Sequence, residues 1–229
     1  MIHVVAGAVT DAVGRVLIAQ RPPGKHFAGG WEFPGGKLEP GETRSAALAR
    51  ELKEELGIII RQPRPLMRLR HTYDFGDVLI DMWVVMRYEG VPHGLDGQAL
   101  RWCTLNELAT VELLPADAPI VRALRLPERL RQGQTSHYRV GELSVMLRAG
   151  KCGAEAVDVS WLRGVFCEGL QEVAAAVSVG AEFLVMRSRL SDNELSKLCA
   201  LVDVPVFARG LSIDAARALG ASGTNDITA

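Results

Sequence analysis

The chain has 229 residues, of which 48% are apolar, and a formal net charge of -1; that is enough for one large domain or two small ones with packed cores. With 26 basic against 27 acidic residues it has no general excess of positive charge for wrapping a nucleic-acid polymer. No stretch supplies the roughly 18 uninterrupted apolar residues of a membrane span.

Four cysteines, Cys103, Cys152, Cys167 and Cys199, stand far apart with no C-x-x-C pair. That pattern suits reduced thiols in a cytosol better than a disulfide framework or a zinc site. The N-terminus lacks a basic n-region followed by a long apolar stretch, so the expectation is a soluble, cytoplasmic protein without a membrane partner.

In chain order, "HVVAGAV" and "RVLIAQR" read as short strands joined by the turn "TDAVG", with Gly14 free for an unusual backbone conformation. "RPPGKHFAGGWEFPGG" is too rich in glycine and proline for a regular element and reads as a surface loop. A helix follows over Ala46 to Leu56, with Thr43 as cap and Gly57 at its left-handed end. Strands are expected at Val78 to Tyr88 and Ala99 to Cys103, and a second helix near Pro119 to Leu130. Residues 1–130 thus form one mixed α/β domain and "RQGQTSHYR", 131–139, a polar linker. Residues 140–229 alternate short apolar runs ("VDV", "GVFC", "AEFLVM", "VPVFARG") with helix-like stretches, the signature of βα units around a parallel sheet.

Residues 35–58 hold five acids, Glu39, Glu42, Glu51, Glu54 and Glu55. At about 100° per residue, Leu48, Leu52 and Leu56 share one edge of the helix, and Glu51, Glu54 and Glu55 converge within about 100° of the arc beside it. Like charges three and four apart repel by a few tenths of a kcal/mol per pair, a cost that a divalent cation would remove. Hard oxygens of this kind suit Mg2+ or Mn2+ sharing its shell with substrate phosphates. The helix alone leaves a second reading open, a solvated charged face neutralised by Arg50 and Lys53.

Gly36-x5-Glu42-x7-Arg50-Glu51-Leu52-x-Glu54-Glu55-x-Gly57-Ile58 resembles the complete Nudix box, with every fixed position filled. The likeness runs from about residue 3 to 130 and is closest to the MutT-like branch, through "WEFPGGK" and "LPADAPIV". The resemblance implies an α/β/α sandwich and a metal-dependent pyrophosphohydrolase converting 8-oxo-dGTP or a related purine triphosphate to the monophosphate. It further implies Mg2+, with Mn2+ as substitute, held by Glu51, Glu54, Glu55 and the carbonyl of Gly35. Glu51 would orient or deprotonate the attacking water, with Asp96 as rival base and Arg50 positioning Glu51. Substrate contacts would come from Arg21, His26, Glu32, Phe33, Pro34, Gly35 and Asp117. At Asp117 the MutT-like branch commonly has Asn; an amide both donates and accepts, whereas an ionised carboxylate only accepts.

Other readings are another diphosphate substrate (ADP-ribose, a dinucleoside polyphosphate or a thiamine-pathway pyrophosphate) and a non-catalytic nucleotide sensor. Such sensors usually lose box glutamates, and this chain keeps all three. Residues 140–229 look like the later part of a thiamine phosphate synthase barrel, through "GVFCEGLQEVAAAVSVGAEFLVM" and "VPVFARGLSIDAARALGASG". A full barrel needs eight βα units and about 200 residues, so a partial barrel is expected, its paired glycines replaced by Arg209 and Gly210 and its synthase activity lost. Its bare edges imply docking or homodimerisation.

Overall fold

Strand β1 (Ile2–Val9) lies inside a mixed four-stranded sheet of order β4-β1-β7-β6 in a computed structural model that describes residues 1–127, 129–130, 135–140, 143–149 and 161–225. β1 pairs parallel with β7 (Gly76–Val85) and antiparallel with β4 (Gly35–Lys37), and β7 pairs antiparallel with β6 (Arg64–Tyr73). A second sheet, all antiparallel, has β2 (Val16–Gln20) between β3 (Trp31–Glu32) and β9 (Leu100–Cys103). β5 (Ile59–Arg61) and β8 (Arg87–Glu89) form a separate antiparallel pair. The turn between β1 and β2 places Gly14 at φ 84°, as its sequence requires.

Helix α1 (Arg44–Leu56) is capped by the Thr43 hydroxyl, which accepts from the Ala46 amide at 3.2 Å, and ends on Gly57 in the left-handed region. Ala47, Leu48, Leu52 and Leu56 are fully buried against Val5, Val9, Leu17, Ile58 and Val85. The apolar edge read from the spacing is therefore the edge that anchors the helix to the sheets, and its glutamates are left beside it. Short helices α2 (Leu105–Leu108) and α3 (Asp117–Ala123) follow.

The chain divides into two compact units, Met1–Val121 and Arg122–Ala229. In the second, β10 (Arg129–Leu130), β11 (Thr135–Val140), β12 (Leu143–Ala149), β13 (Trp161–Cys167), β14 (Phe183–Met186), β15 (Val206–Arg209) and β16 (Gly223–Asn225) make one open sheet of order β10-β16-β15-β14-β13-β12-β11. The run from β13 through β14, β15 and β16 to β10 is parallel, and β12 and β11 extend it as an antiparallel flank. Helices α4 (Val173–Ser178), α5 (Asp192–Leu201) and α6 (Ile213–Ala218) cover one face, burying Ala176, Leu195, Leu198 and Ala216 against Val165, Leu184, Met186 and Ala208. The βα alternation is present, in an open sheet.

Three expectations differ from this. The second helix stops at Ala123 instead of running to Leu130, because Pro127 disfavours helical backbone in the residue before it. The polar stretch read as a linker contains β11, whose hydrogen bonds come from β12 and not from its own composition. β6 went unread, since Arg64, Arg68, Arg70 and His71 obscure its alternation. The expected "VDV" strand and Cys152 lie outside the described residues. No described helix is long and apolar enough to cross a membrane.

Asp81, 3% exposed in the middle of β7, binds Arg44 at 2.9 Å, Arg68 at 2.9 Å and the imidazole of His3. Burial alone would raise its pKa; hydrogen bonds from Arg68 and His3 and the charge of Arg44 outweigh burial and hold it below 3.8. A depressed carboxyl contributes stability in full above its unfolded value and loses it as pH falls through the folded one. Asp81→Asn, which leaves Arg68 buried without its anion, is expected to cost about 3 kcal/mol at neutral pH in urea denaturation. Below pH about 4 the wild type should lose part of that advantage; a penalty that does not change with pH would contradict the ion cluster's role.

Candidate active site

The two glycines before α1 have separate physical jobs. A Cβ on Gly35, at φ 152°, would lie 2.1 Å from the Val5 carbonyl oxygen, so only glycine lets β4 approach β1 this closely. A Cβ on Gly36 would fall 2.3 Å from a Glu51 carboxylate oxygen, so the Glu51 side chain lies directly on the Gly36 backbone.

Arg50 links the acids of the box. Its Nε donates to Glu42 Oε1 at 2.9 Å, its Nη2 to Glu42 Oε2 at 3.0 Å and to the Lys37 carbonyl at 3.0 Å, and its Nη1 to Glu51 at 2.8 Å and Glu54 at 3.2 Å. The hydrogen bonds it donates to Glu42 and Glu51 raise the guanidinium pKa further, so this cation is permanent. Glu42 in turn is held below the usual carboxylate range by Arg50.

Glu55 differs from its neighbours. Burial pushes its pKa up to about 7, against the hydrogen bond from the Gly35 amide (3.0 Å), and the charges of Glu32, Glu51 and Asp96 add to the rise. Asp96 is brought there by a loop that the sequence reading did not resolve. The Leu95 amide donates to the Glu55 carbonyl at 2.9 Å, the Gln98 side chain to the same carbonyl at 3.0 Å, and the His93 amide to the Leu56 carbonyl at 3.1 Å. These bonds satisfy carbonyls that the end of α1 would otherwise leave unpaired. The signal in the sequence was the polar "HGLDGQ" itself, which shows no partner until the fold is known.

Of the residues expected at the metal, Glu51, Glu54 and Glu55 do share one helix edge beside the Gly35 backbone. Their side chains are parcelled out between Arg50 and the Gly35 amide, and Glu54 is 61% exposed. Among the described residues no three His, Cys, Asp or Glu side chains are gathered tightly enough to hold a metal ion as they stand. The donor chemistry nonetheless fits a hard divalent cation: all the groups are oxygens, and the excess negative charge at Glu55 is what such an ion would relieve.

The expected substrate residues form a second cluster. Arg21 pairs with Glu32, and its Nε donates to the His26 carbonyl at 2.7 Å. Burial raises the Glu32 pKa in spite of Arg21. Phe33 and Pro34 are buried, and the Pro34 carbonyl accepts from the Gly7 amide at 2.9 Å, so both fix the loop's path. Asp117, at the start of α3, is 5% exposed and its Oδ2 has no hydrogen-bond partner among the described residues. Burial raises its pKa well above 3.8, helped by Glu32 and opposed by Arg21. The shift favours the neutral acid, which carries one O–H donor and one acceptor, over the ionised, accept-only carboxylate.

A continuous Nudix box on an α/β scaffold defines the class, and the family profile described as NUDIX domain matches residues 1–124. The chain belongs to that family. It is similar to the CTP pyrophosphohydrolase of Escherichia coli K12, at 39% identity over 123 residues covering 54% of this chain and 90% of that protein. The 8-oxo-dGTP diphosphatase of the same organism is 32% identical over 124 residues (54% and 96%), and that of Haemophilus influenzae is 34% identical over 124 residues (54% and 91%). The chain is a Nudix hydrolase, a nucleoside triphosphate pyrophosphohydrolase in class, and Nudix hydrolases generally need divalent metal ions.

Gly36→Ala forces the Glu51 carboxylate off its seat. It is expected to lower kcat by about 100-fold, the scale of one misplaced catalytic group, while far-ultraviolet circular dichroism stays unchanged. Activity within about twofold of wild type would show that Glu51's position against Gly36 does not matter.

Proposed function

We propose that the chain hydrolyses 8-oxo-dGTP or a related purine deoxynucleoside triphosphate to the monophosphate and pyrophosphate. The observation that carries this reading is the seat of the Glu51 carboxylate on the Gly36 backbone, with Arg50 bonded to Glu42, Glu51 and Glu54 and with Glu55 accepting from the Gly35 amide. Glu51, Glu54, Glu55 and the Gly35 carbonyl are the residues that would hold Mg2+, or Mn2+ in its place. When bound there, the ion offsets phosphate charge and makes a water more acidic.

Glu51 takes the proton of the attacking water, and Asp96 is the alternative acceptor. The water oxygen bonds to phosphorus as the bridge to the departing pyrophosphate breaks. Arg50 acts through Glu51, holding its carboxylate on the Gly36 backbone, and is a positioning residue. Arg21, His26, Glu32, Phe33, Pro34 and Gly35 shape the substrate side, with Asp117 reading the base edge. Glu51→Gln should lower magnesium-dependent pyrophosphate release by at least about 100-fold, with KM changed much less. Equal activity in the variant would remove Glu51 from the chemistry.

CTP is a second reading, favoured by the 39% identity to a CTP pyrophosphohydrolase and by the burial of Asp117, which raises its pKa. A neutral carboxylic acid can donate to cytosine N3 while accepting from its exocyclic amine, and it can equally donate to O6 and accept from N7–H of 8-oxoguanine. Ionisation removes the donor in both cases. As pH rises through the Asp117 pKa, kcat/KM of wild type divided by that of Asp117→Asn should therefore fall. Taking this quotient on 8-oxo-dGTP and on CTP from about pH 6 to about pH 9 cancels the other titrating groups. A quotient that stays flat for both substrates sinks the role of Asp117, and the larger absolute kcat/KM chooses between them.

For the second unit, five parallel strands with helices on one face are compatible with part of a thiamine phosphate synthase-like barrel. We read it as a docking or homodimerising remnant with no synthase activity of its own, and the whole as a cytoplasmic enzyme that keeps damaged nucleotides out of DNA replication.

A further inference from the structure

The loop between β2 and β3 and the hairpin joining β6 to β7 each bring aromatic rings to one place. Tyr73 and Phe75 stack with centroids 5.0 Å apart and planes 9° apart. Phe27 lies 5.2 Å from Tyr73, His26 lies 4.8 Å from Phe75, and His71 packs edge-on against Tyr73 at 4.4 Å. The cluster joins residues more than forty positions apart in sequence, yet Phe27 and Phe75 are each 44% exposed. Rings gathered to staple a loop would gain most by covering one another. These keep large faces open to solvent.

The loop is held in place to do this. The Arg21 amide donates to the Gly30 carbonyl at 2.9 Å, the Gly29 amide to the Arg21 carbonyl at 2.9 Å, and the Gly30 amide to the Phe27 carbonyl at 3.0 Å. Phe27 sits at φ 58°, in the left-handed region that a bulky side chain rarely adopts. Backbone strain of this sort persists where the surroundings enforce it and is a pointer to function. The cluster also borders the polar residues of the candidate site: Tyr73 feels the charges of Asp117, Arg21 and Glu32, and its hydroxyl meets the Ala116 backbone.

We propose that Phe75, Tyr73 and Phe27 form a stacking platform for the nucleobase of the substrate, so that these rings set affinity for the base while Asp117 reads its edge. The platform rests on the nucleotide reading above and adds three residues to it. Every nucleobase has a π-face, so the platform binds bases in general, and discrimination among them is left to the polar group beside it.

The test uses the full-length chain with 8-oxo-dGTP, dGTP, CTP and the base-free 2-deoxyribose 5-triphosphate. Phe75→Ala should raise KM about tenfold for each base-bearing substrate, with kcat moving much less and KM for the base-free compound unchanged. Phe75→Trp should restore or improve KM. Phe75→Leu keeps an apolar contact without a ring face; it should raise KM like the alanine variant while thermal stability stays at the wild-type level, which separates stacking from folding. Equal KM changes with base-bearing and base-free substrates would mean that the rings only staple the loop, and the platform would be wrong. Unchanged KM in a wild type that turns over nucleotides overturns the platform alone. A wild type inactive on every base-bearing triphosphate overturns the nucleotide reading, and the platform with it.

Discussion

The contact between the Glu51 carboxylate and the Gly36 backbone, clamped by Arg50, is the constraint on which the rest of the site depends. Glu42, Glu51 and Glu54 would repel one another if left alone; the Arg50 guanidinium bonds to all three and to the Lys37 carbonyl as well. Only a planar fork with five donors can do this, and lysine could not. Because Arg50 and Glu51 are adjacent in sequence, the guanidinium must reach sideways across the helix edge, and the loop holding Gly36 must come close enough to be touched. That approach in turn requires Gly35, where a Cβ would lie 2.1 Å from the Val5 carbonyl oxygen. Sheet register, loop path and carboxylate placement are thus parts of one packing solution.

Charge is distributed unevenly across this region, and the unevenness separates two kinds of carboxyl. Glu42 is held ionised by Arg50, and Asp81 by Arg68, His3 and Arg44. Glu55 and Asp117 have no such cation in direct contact and are buried, so both are biased toward the neutral acid. For Glu55 burial is the main cause and the charges of Glu32, Glu51 and Asp96 add to it, the part that a cation would reverse. For Asp117 burial is likewise the main cause, with Glu32 adding to it and Arg21 opposing it.

The parts legible in the sequence are those written locally. Thr43, Gly57 and the leucine spacing define α1 within a few turns of chain, and the box motif falls on it without gaps. The βα alternation of the second unit was likewise visible, because the runs that form β14 and β15 are buried on both faces. β6 was hidden, as Leu66 is the one residue in it that is fully buried and its order comes from β7 across the hairpin. β11 likewise takes its order from its neighbour, β12. Asp81 left a trace that could have been used: a lone acid inside "VLIDMWVV" must find cations or unfold the strand. The aromatic cluster left none, because Phe27 and Phe75 each look like ordinary loop residues until the fold brings them together.

What distinguishes members of this family must lie outside the box. The relatives named for CTP and for 8-oxo-dGTP share the family with this chain and still differ in substrate, so the box cannot encode the base. The phosphates are common to every such substrate, and a rigid helix edge is suited to a constant task. The base varies, and the groups beside Asp117 are of the kind that can vary with little cost: an exposed loop between β2 and β3, a hairpin tip, and the first residue of a short helix. None of them contributes to the leucine core that fixes α1. Substitution there can leave Gly36, Arg50 and Glu51 where they are.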